Sequence, residues 1–180
     1  MNYGEIKTAD IANGTGVRVS LFVSGCRRHC KDCFNSETWD FCYGNEFTDD
    51  TMNEIITAMD KEYIKGFSLL GGEPFEKENR ICLASLLEKI RAEYPAKSVW
   101  CYSGYDFEND ILKMSEDDEK DKTFAAGRML SCIDFIVDGR FIETQKSPAL
   151  RFKGSANQRI IDVRASLERG ETIRWKHDCV

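Results

Sequence analysis

Three cysteines stand close together in the stretch SGCRRHCKDCFN, residues 24–35. Their spacing is Cys26-x3-Cys30-x2-Cys33, with no fourth cysteine in the same run. Thiolates are soft ligands that suit zinc or iron–sulfur clusters. A structural zinc site needs four ligands, whereas three cysteines on a [4Fe–4S] cube leave one iron without a protein ligand. The spacing therefore predicts a metal centre with one open position, ligated by Cys26, Cys30 and Cys33.

The spacing favours the cluster but leaves a zinc site open. An iron without a protein ligand can bind a small molecule through nitrogen and oxygen donors, such as the amino and carboxylate groups of a methionine moiety. Zinc has to recruit a fourth ligand, and His29 and Cys42 are the candidates. The other cysteines stand alone, and three of them lie in apolar stretches typical of small core residues: Cys82, Cys101 and Cys132.

A second candidate site is the stretch SLLGGEPF, which contains Gly71, Gly72 and Glu73. Two glycines at the end of a strand allow the backbone to approach a ligand closely. The Glu73 carboxylate can accept a charge-assisted hydrogen bond from a ligand ammonium group. A tight turn with a surface glutamate is the more common interpretation of such a stretch. Beside an open metal position, however, it suits the binding of an amino acid.

Apolar segments of strand character precede both motifs. The segment at 17–25 ends at Cys26, and the segment at 66–74 contains the glycine pair. Further strands are predicted at 97–105, 132–141 and 158–163, and helices at 48–63, capped by Asp49 or Asp50, and 79–94. Strands separated by helices predict an α/β fold with mostly parallel strands. There are too few units for a closed barrel, so we expect an open partial (β/α) barrel.

We expect one domain over residues 1–180, with a core at about 1–162 and a tail at 163–180 to which no role is assigned. The acidic and basic stretch near 115–126 is most simply a solvated helix start or surface loop. The net charge of −6 argues against nucleic-acid binding. No stretch approaches the roughly 18 apolar residues of a membrane span, and no secretory signal is evident. We therefore expect a cytoplasmic protein, and because that compartment keeps thiols reduced, metal ligation is the favoured use of the clustered cysteines.

The cysteine run and Gly71-Gly72-Glu73 together resemble the radical S-adenosylmethionine superfamily. More closely, the chain resembles the proteins that activate anaerobic ribonucleoside-triphosphate reductase. The matching stretches are DIANGTGVRVSLFVSGC (10–26), CKDCFNSETWDF (30–41), WCYSGY (100–105), IDFIVDGRF (133–141) and RFKGSANQRIID (151–162).

The resemblance implies a glycyl-radical activase with a [4Fe–4S] cluster and S-adenosylmethionine as cofactors. Its expected partners are the anaerobic reductase, which supplies the glycine, and an electron donor of the flavodoxin or ferredoxin type. Gly71, Gly72 and Glu73 would hold the methionine end of the cofactor.

Four further residues are candidates for the cofactor rim. Many superfamily members carry an aromatic residue before the third cysteine, where this chain has Asp32, so the backbone from Asp32 to Phe34 would edge the adenine instead. Ser103 and Asp138 follow later strands, and each has an equally good interpretation as a strand-end cap or turn residue.

Two rival functions remain open on the sequence. A radical enzyme that acts on a small molecule would share both motifs, but it would need a dedicated substrate pocket. A zinc-bound interaction module would not be an enzyme.

Overall fold

The computed structural model describes residues 1–121 and 124–176, and of residues 118–121 it describes the backbone alone. The strands are β1 (Asn2–Asp10), β2 (Val17–Val23), β3 (Asn45–Glu46), β4 (Ile64–Gly71), β5 (Ser98–Tyr102), β6 (Phe135–Asp138) and β7 (Arg159–Asp162). The α-helices are α1 (Asp49–Met59), α2 (Lys77–Glu93), α3 (Leu112–Asp121), α4 (Ala125–Cys132) and α5 (Val163–Arg169). Short helical turns lie at Ser36–Trp39, Phe107–Ile111 and Glu143–Gln145.

The described strands form one open sheet in the order β3-β1-β2-β4-β5-β6-β7. The pairs β2–β4, β4–β5 and β5–β6 are parallel, whereas β1–β2, β1–β3 and β6–β7 are antiparallel. A parallel neighbour needs a crossover connection, usually a helix. No α-helix lies between β6 and β7, so β7 returns antiparallel to β6.

The predicted α/β class and the mostly parallel open sheet are confirmed. The five predicted strands and two predicted helices exist, with bounds that differ by a few residues. The sequence analysis missed β1 and β3, and the cap of α1 is Thr48, whose side chain accepts a hydrogen bond from the Thr51 N–H, rather than Asp49 or Asp50. A partial barrel would require the sheet to curve. Strand pairing does not measure curvature, so the partial barrel stays a prediction.

Helices cover one face of the sheet. Alternate residues of the strands point to the same face, and on this face Leu21, Leu69 and Val99 join the apolar side chains of α1, α2 and α4 in one buried cluster. Cys101 and Cys132 belong to this cluster and Cys82 packs against it, as predicted. No helix in the described part of the chain is long and apolar enough to cross a membrane.

The tail covers part of the opposite face. There Trp100, Val137 and Ile160 form a second cluster, which Trp175 joins at a ring distance of 5.4 Å from Trp100. The Trp175 N–H donates to the Ile160 carbonyl at 2.8 Å. Residues 163–176 therefore help to build the core. The acidic stretch near 115–126 includes the end of α3, and residues 122–123 lie outside the described part, as does Cys179.

A buried arginine closes the amino-terminal edge of the parallel strands. Arg18 is 0% exposed, and its guanidinium donates five hydrogen bonds of 2.7 to 3.0 Å. The acceptors are the Ser68 and Ser98 hydroxyls and the carbonyls of Thr15, Phe67 and Ser98. Because a guanidinium has five N–H donors, every donor of Arg18 has a partner.

Candidate metal and cofactor site

The cysteine loop leaves β2 at the carboxyl edge of the parallel strands. Gly25 has a φ of +94°, and a Cβ there would lie 2.3 Å from the Phe41 ring. The Gly25 N–H donates to the Thr38 carbonyl at 2.8 Å, and the Cys26 N–H donates to the Trp39 carbonyl at 3.1 Å. These bonds fold the loop back onto the turn at Ser36–Trp39. They bury Cys26 and Cys30 and leave Cys33 partly exposed.

The loop is wound tightly between its cysteines. His29 and Asp32 have left-handed φ angles of +43° and +55°. Histidine and aspartate are among the non-glycine residues that adopt this conformation more often than most. The His29 ring stacks on Trp39 at a centroid distance of 4.7 Å, whereas Cys42, the other candidate zinc ligand, is exposed.

Backbone N–H groups already donate to two of these sulfurs. The Asn35 N–H lies 3.4 Å from Cys33 Sγ, and the N–H groups of Arg28 and His29 donate to Cys26. Burial raises the pKa of the Cys26 thiol to about 11, and these hydrogen bonds oppose the rise. Hydrogen bonds to sulfur are among the features that set the potential of a cluster. The donors suit thiolates that act as ligands.

The glycine pair is hydrogen-bonded to the start of the cysteine loop. The Gly72 N–H donates to the Val23 carbonyl at 2.7 Å, and the Glu73 N–H donates to the Gly25 carbonyl at 2.8 Å. A Cβ on Gly71, which has a φ of +106°, would lie 2.6 Å from Val23 N, and one on Gly72 would lie 2.6 Å from Gly25 O. The close approach that demands glycine is thus to the chain's own backbone, whereas the sequence analysis ascribed it to a ligand.

Glu73 lies beneath the surface, 1% exposed. Its Oε1 accepts hydrogen bonds from the Phe75 N–H at 3.0 Å and the Ser103 hydroxyl at 2.9 Å, and its Oε2 accepts one from the Gly104 N–H at 2.7 Å. Burial raises the pKa of Glu73 to about 7, although these bonds oppose the rise. A carboxylate has about four lone-pair sites, so roughly one is left for a ligand.

Ser103 and Asp138 both serve the chain itself. The Ser103 hydroxyl donates to Glu73 and accepts from the Tyr105 N–H at 3.1 Å. The buried Asp138 carboxylate accepts from the Phe107 N–H at 2.9 Å and pairs with Arg159. These contacts favour the strand-end interpretation of each residue over a direct contact with a cofactor.

An acidic group beside Asp138 has its own counter-ion. Oxygens of Asp106, Glu108 and Asp138 lie within 4.8 Å of one another, as ligands of a metal ion could. Arg159 forms an ion pair with each of the three. Its hydrogen bond lowers the pKa of Glu108 to about 2. The three carboxylates are therefore explained as partners of one arginine, whose single positive charge offsets part of their negative charge.

Asp32 and Phe34 lie on the outer side of the loop. The Asp32 side chain is 60% exposed. Phe34 is also 60% exposed, and its ring lies 5.0 Å from Phe141 and 4.4 Å from Lys146 Nζ. Phe34 therefore lies next to the segment that follows β6, whereas the Asp32 side chain forms an ion pair with Lys31.

Two side chains at the start of α2, Glu76 at its N-cap and Asn79 in its first turn, hold the motifs together and were not predicted from the sequence. The buried Asn79 amide donates at 3.0 Å to both the Ser24 and the Glu73 carbonyls. The buried Glu76 carboxylate accepts from the Arg27 N–H at 2.9 Å and from its guanidinium at 2.7 Å. Both residues precede the apolar periodic part of the helix, and nothing in the local pattern distinguishes them from solvated polar residues.

Comparison with known proteins supports the metal chemistry. A family described as a 4Fe-4S single cluster domain matches residues 12–161. The fold and the cysteine loop thus define the class: an α/β protein with the domain of a single [4Fe–4S] cluster.

Named relatives narrow the assignment. The anaerobic ribonucleoside-triphosphate reductase-activating protein of Enterobacteria phage T4 is 35% identical over 178 residues, 99% of this chain and 100% of that protein. The protein of the same name from Escherichia coli K12 is 36% identical over 166 residues, 91% of this chain and 100% of that protein. The protein of the same name from Haemophilus influenzae is 38% identical over 160 residues, 88% of this chain and 96% of that protein. The chain belongs to the family of anaerobic ribonucleoside-triphosphate reductase-activating proteins.

Proposed function

We propose that this chain activates an anaerobic ribonucleoside-triphosphate reductase through radical chemistry on S-adenosylmethionine, as a member of the radical S-adenosylmethionine superfamily. Relatives that this chain matches over their whole length are named as activating proteins of that reductase. Cys26, Cys30 and Cys33 would hold the cluster, and the segment from Gly71 to Glu73 would hold the methionine end of the cofactor.

One observation carries the proposal: the cysteine loop and the glycine pair are joined by backbone hydrogen bonds. Gly72 donates to Val23 and Glu73 donates to Gly25, within three residues of Cys26. The Asn79 side chain adds a bridge from the opposite side. The candidate metal ligands and a carboxylate suited to an ammonium group therefore belong to one small unit. This supports the proposal, because a cofactor that binds metal through its amino-acid end needs both groups close together.

The cofactors supply the reactive chemistry. A reduced cluster held by Cys26, Cys30 and Cys33 would supply the electron for reductive cleavage of S-adenosylmethionine to methionine and a 5′-deoxyadenosyl radical, and that radical would accept a hydrogen atom from a glycine of the reductase. The chain's own residues bind and orient. Cys26 and Cys30 are buried, which limits access of water to that side of the loop. An electron donor of the flavodoxin or ferredoxin type completes the proposal.

The sheet offers a surface for the reductase. Its main helices cover one face, and on the other face the described chain places loops and the tail. We propose that the sheet curves into a partial barrel within one domain, so that the carboxyl edge opens toward a glycine-bearing loop. A protein loop could then exclude water from the site while it positions its glycine.

The decisive experiment mixes the cluster-loaded chain with S-adenosylmethionine, a reductant and the reductase, and records electron paramagnetic resonance spectra. We expect a glycyl radical on the reductase, and deuterium placed on that glycine should appear in 5′-deoxyadenosine. The matched control is a reductase whose glycine is replaced by alanine, which should give no radical. Absence of the label, or efficient turnover of a small molecule without a protein partner, would contradict the proposal.

A further inference from the structure

Arg28 is a cation at the candidate site that the proposed function has not used. It lies midway between Cys26 and Cys30, partly buried. Its Nε is buried without a hydrogen-bond partner. The neighbouring Arg27 differs, since its guanidinium pairs with Glu76 and Glu78. Among the described residues, Arg28 takes part in no ion pair.

The Arg28 side chain extends toward the end of β5. Its guanidinium carbon lies 4.8 Å from the centre of the Tyr105 ring, within the range of a cation–π contact. Its own carbonyl accepts a hydrogen bond from the Arg140 guanidinium at 2.9 Å. The ring and this backbone bond hold the arginine in place. A guanidinium that is fixed in advance loses less conformational freedom when it binds a ligand.

Arg28 and Glu73 approach the same small space from two sides. A Cβ built on Gly104 would lie 3.6 Å from Arg28 Nε and 3.5 Å from Glu73 Oε2. The cation and the carboxylate are nevertheless not paired with each other, for Oε2 accepts the Gly104 N–H instead. Opposite charges thus border one glycine without neutralising each other directly. An α-amino acid carries a carboxylate and an ammonium group on one carbon, which is the complementary arrangement.

We infer that Arg28 binds the carboxylate of the cofactor's amino-acid moiety, while Glu73 binds its ammonium group. This inference rests on the proposed function, and it adds a residue that determines which ligand the site accepts. A carboxylate has two oxygens, so a guanidinium can bind one and leave the other for the open metal position. Charge-assisted hydrogen bonds of this kind are roughly twice as strong as neutral ones. Arg28 would therefore select for a ligand that retains its carboxylate.

The test measures binding of two ligands to the cluster-loaded chain by calorimetry under anaerobic conditions. The ligands are S-adenosylmethionine and its decarboxylated analogue. We expect Arg28→Gln to weaken binding of S-adenosylmethionine by about tenfold or more, and Arg28→Lys to recover part of the loss. For the decarboxylated analogue, each variant should match the wild type within about twofold, because the group that Arg28 recognises is missing.

The matched control is Lys31→Gln. It removes one positive charge from the same loop, but its side chain is 88% exposed, with Nζ 3.9 Å from a carboxylate oxygen of Asp32. We expect it to leave both affinities unchanged. Gly104→Ala gives a second test, because its methyl group would enter the space between Arg28 and Glu73, and we expect weaker binding of S-adenosylmethionine. Iron content and the spectrum of the reduced cluster should stay the same in all these variants.

Each result separates the role inferred for Arg28 from the proposed function as a whole. Unchanged affinity in Arg28→Gln, an equal loss in Lys31→Gln, or an equal loss for both ligands would overturn the role of Arg28 and leave the proposed function standing. A shift in cluster potential without a change in affinity would mean that Arg28 faces the cluster, which also overturns the inference. Failure of the wild type to bind S-adenosylmethionine would overturn both.

Discussion

The two edges of the parallel sheet each contain a partly or fully buried arginine, and the two arginines differ in how they are satisfied. At the amino-terminal edge, Arg18 donates to hydroxyls and carbonyls through all five N–H groups. At the carboxyl edge, Arg28 keeps a buried Nε without a partner. Burial lowers the pKa of Arg18 to about 10, which still leaves it charged at neutral pH.

The contrast separates a polar network that stabilises the fold from one that is open to a ligand. An unpaired buried polar group costs free energy, so a closed network such as that of Arg18 can persist for stability alone. A network with an unpaired buried group, such as that of Arg28, is explained when a ligand supplies the missing partner. The same contrast holds for the carboxylates: Asp138 is paired with Arg159, whereas Glu73 accepts hydrogen bonds from neutral donors and forms no ion pair with a cation in the described part of the chain.

The largest expected effect comes from removing a candidate metal ligand at the carboxyl edge of the sheet. Replacing Cys26, Cys30 or Cys33 by alanine should abolish cluster assembly, so that iron falls from about four atoms per chain to none. Replacing Cys42, Cys82, Cys101 or Cys132 should leave the iron content unchanged. Iron analysis and the visible absorbance of anaerobically reconstituted protein measure both. If Cys42→Ala loses the metal, the site has four protein ligands and its open position disappears.

The next largest effect concerns Arg18 at the amino-terminal edge of the sheet. Arg18→Met should destabilise the fold by about 3 to 5 kcal/mol, because several buried carbonyls and hydroxyls lose their donor. Chemical denaturation measures the free energy of unfolding. The folded fraction should still bind S-adenosylmethionine with the affinity of the wild type. A variant with wild-type stability, or one that stays folded but loses cofactor affinity, would break the distinction between the two edges.

The smallest effect depends on pH and concerns Glu73. Its folded-state pKa of about 7 lies above the ordinary value of 4.5. Its protonated form is therefore favoured by folding, and this stabilisation is complete below pH 4.5 and is lost as the pH rises through about 7. The pKa difference corresponds to a loss on the order of 3 kcal/mol. Burial is the main cause, and the nearby Glu76 adds to it.

Denaturation of the metal-free protein between pH 5 and pH 8 tests this expectation against Glu73→Gln. The variant keeps only one of the two oxygens, so its amide NH2 group meets the backbone N–H of either Phe75 or Gly104, and this mismatch does not titrate. The stability advantage of the wild type over the variant should therefore shrink as the pH rises. A difference that stays constant would mean that Glu73 does not titrate in this range and that water reaches it.

The sequence by itself was sufficient for the local patterns. The apolar segments at 17–25 and 66–74 predicted β2 and β4, because a strand buried on both faces is apolar along its length. The spacing of Cys26, Cys30 and Cys33 indicated metal ligands, since three thiols so close in a chain expected to keep its thiols reduced have few other uses. The helix over 79–94 followed from its apolar period, which reflects packing against one face.

The tertiary structure decided how distant polar groups are paired. Asn79 joins Ser24 to Glu73, and Trp175 reaches Trp100, because the fold brings together residues that are 6 to 75 positions apart. No local pattern encodes such pairs. The buried state of Glu73 has the same origin, as does the lack of a hydrogen-bond partner for Arg28 Nε among the described residues. Burial and charge pairing depend on which neighbours the packed chain supplies, and the identity of a residue alone does not fix them.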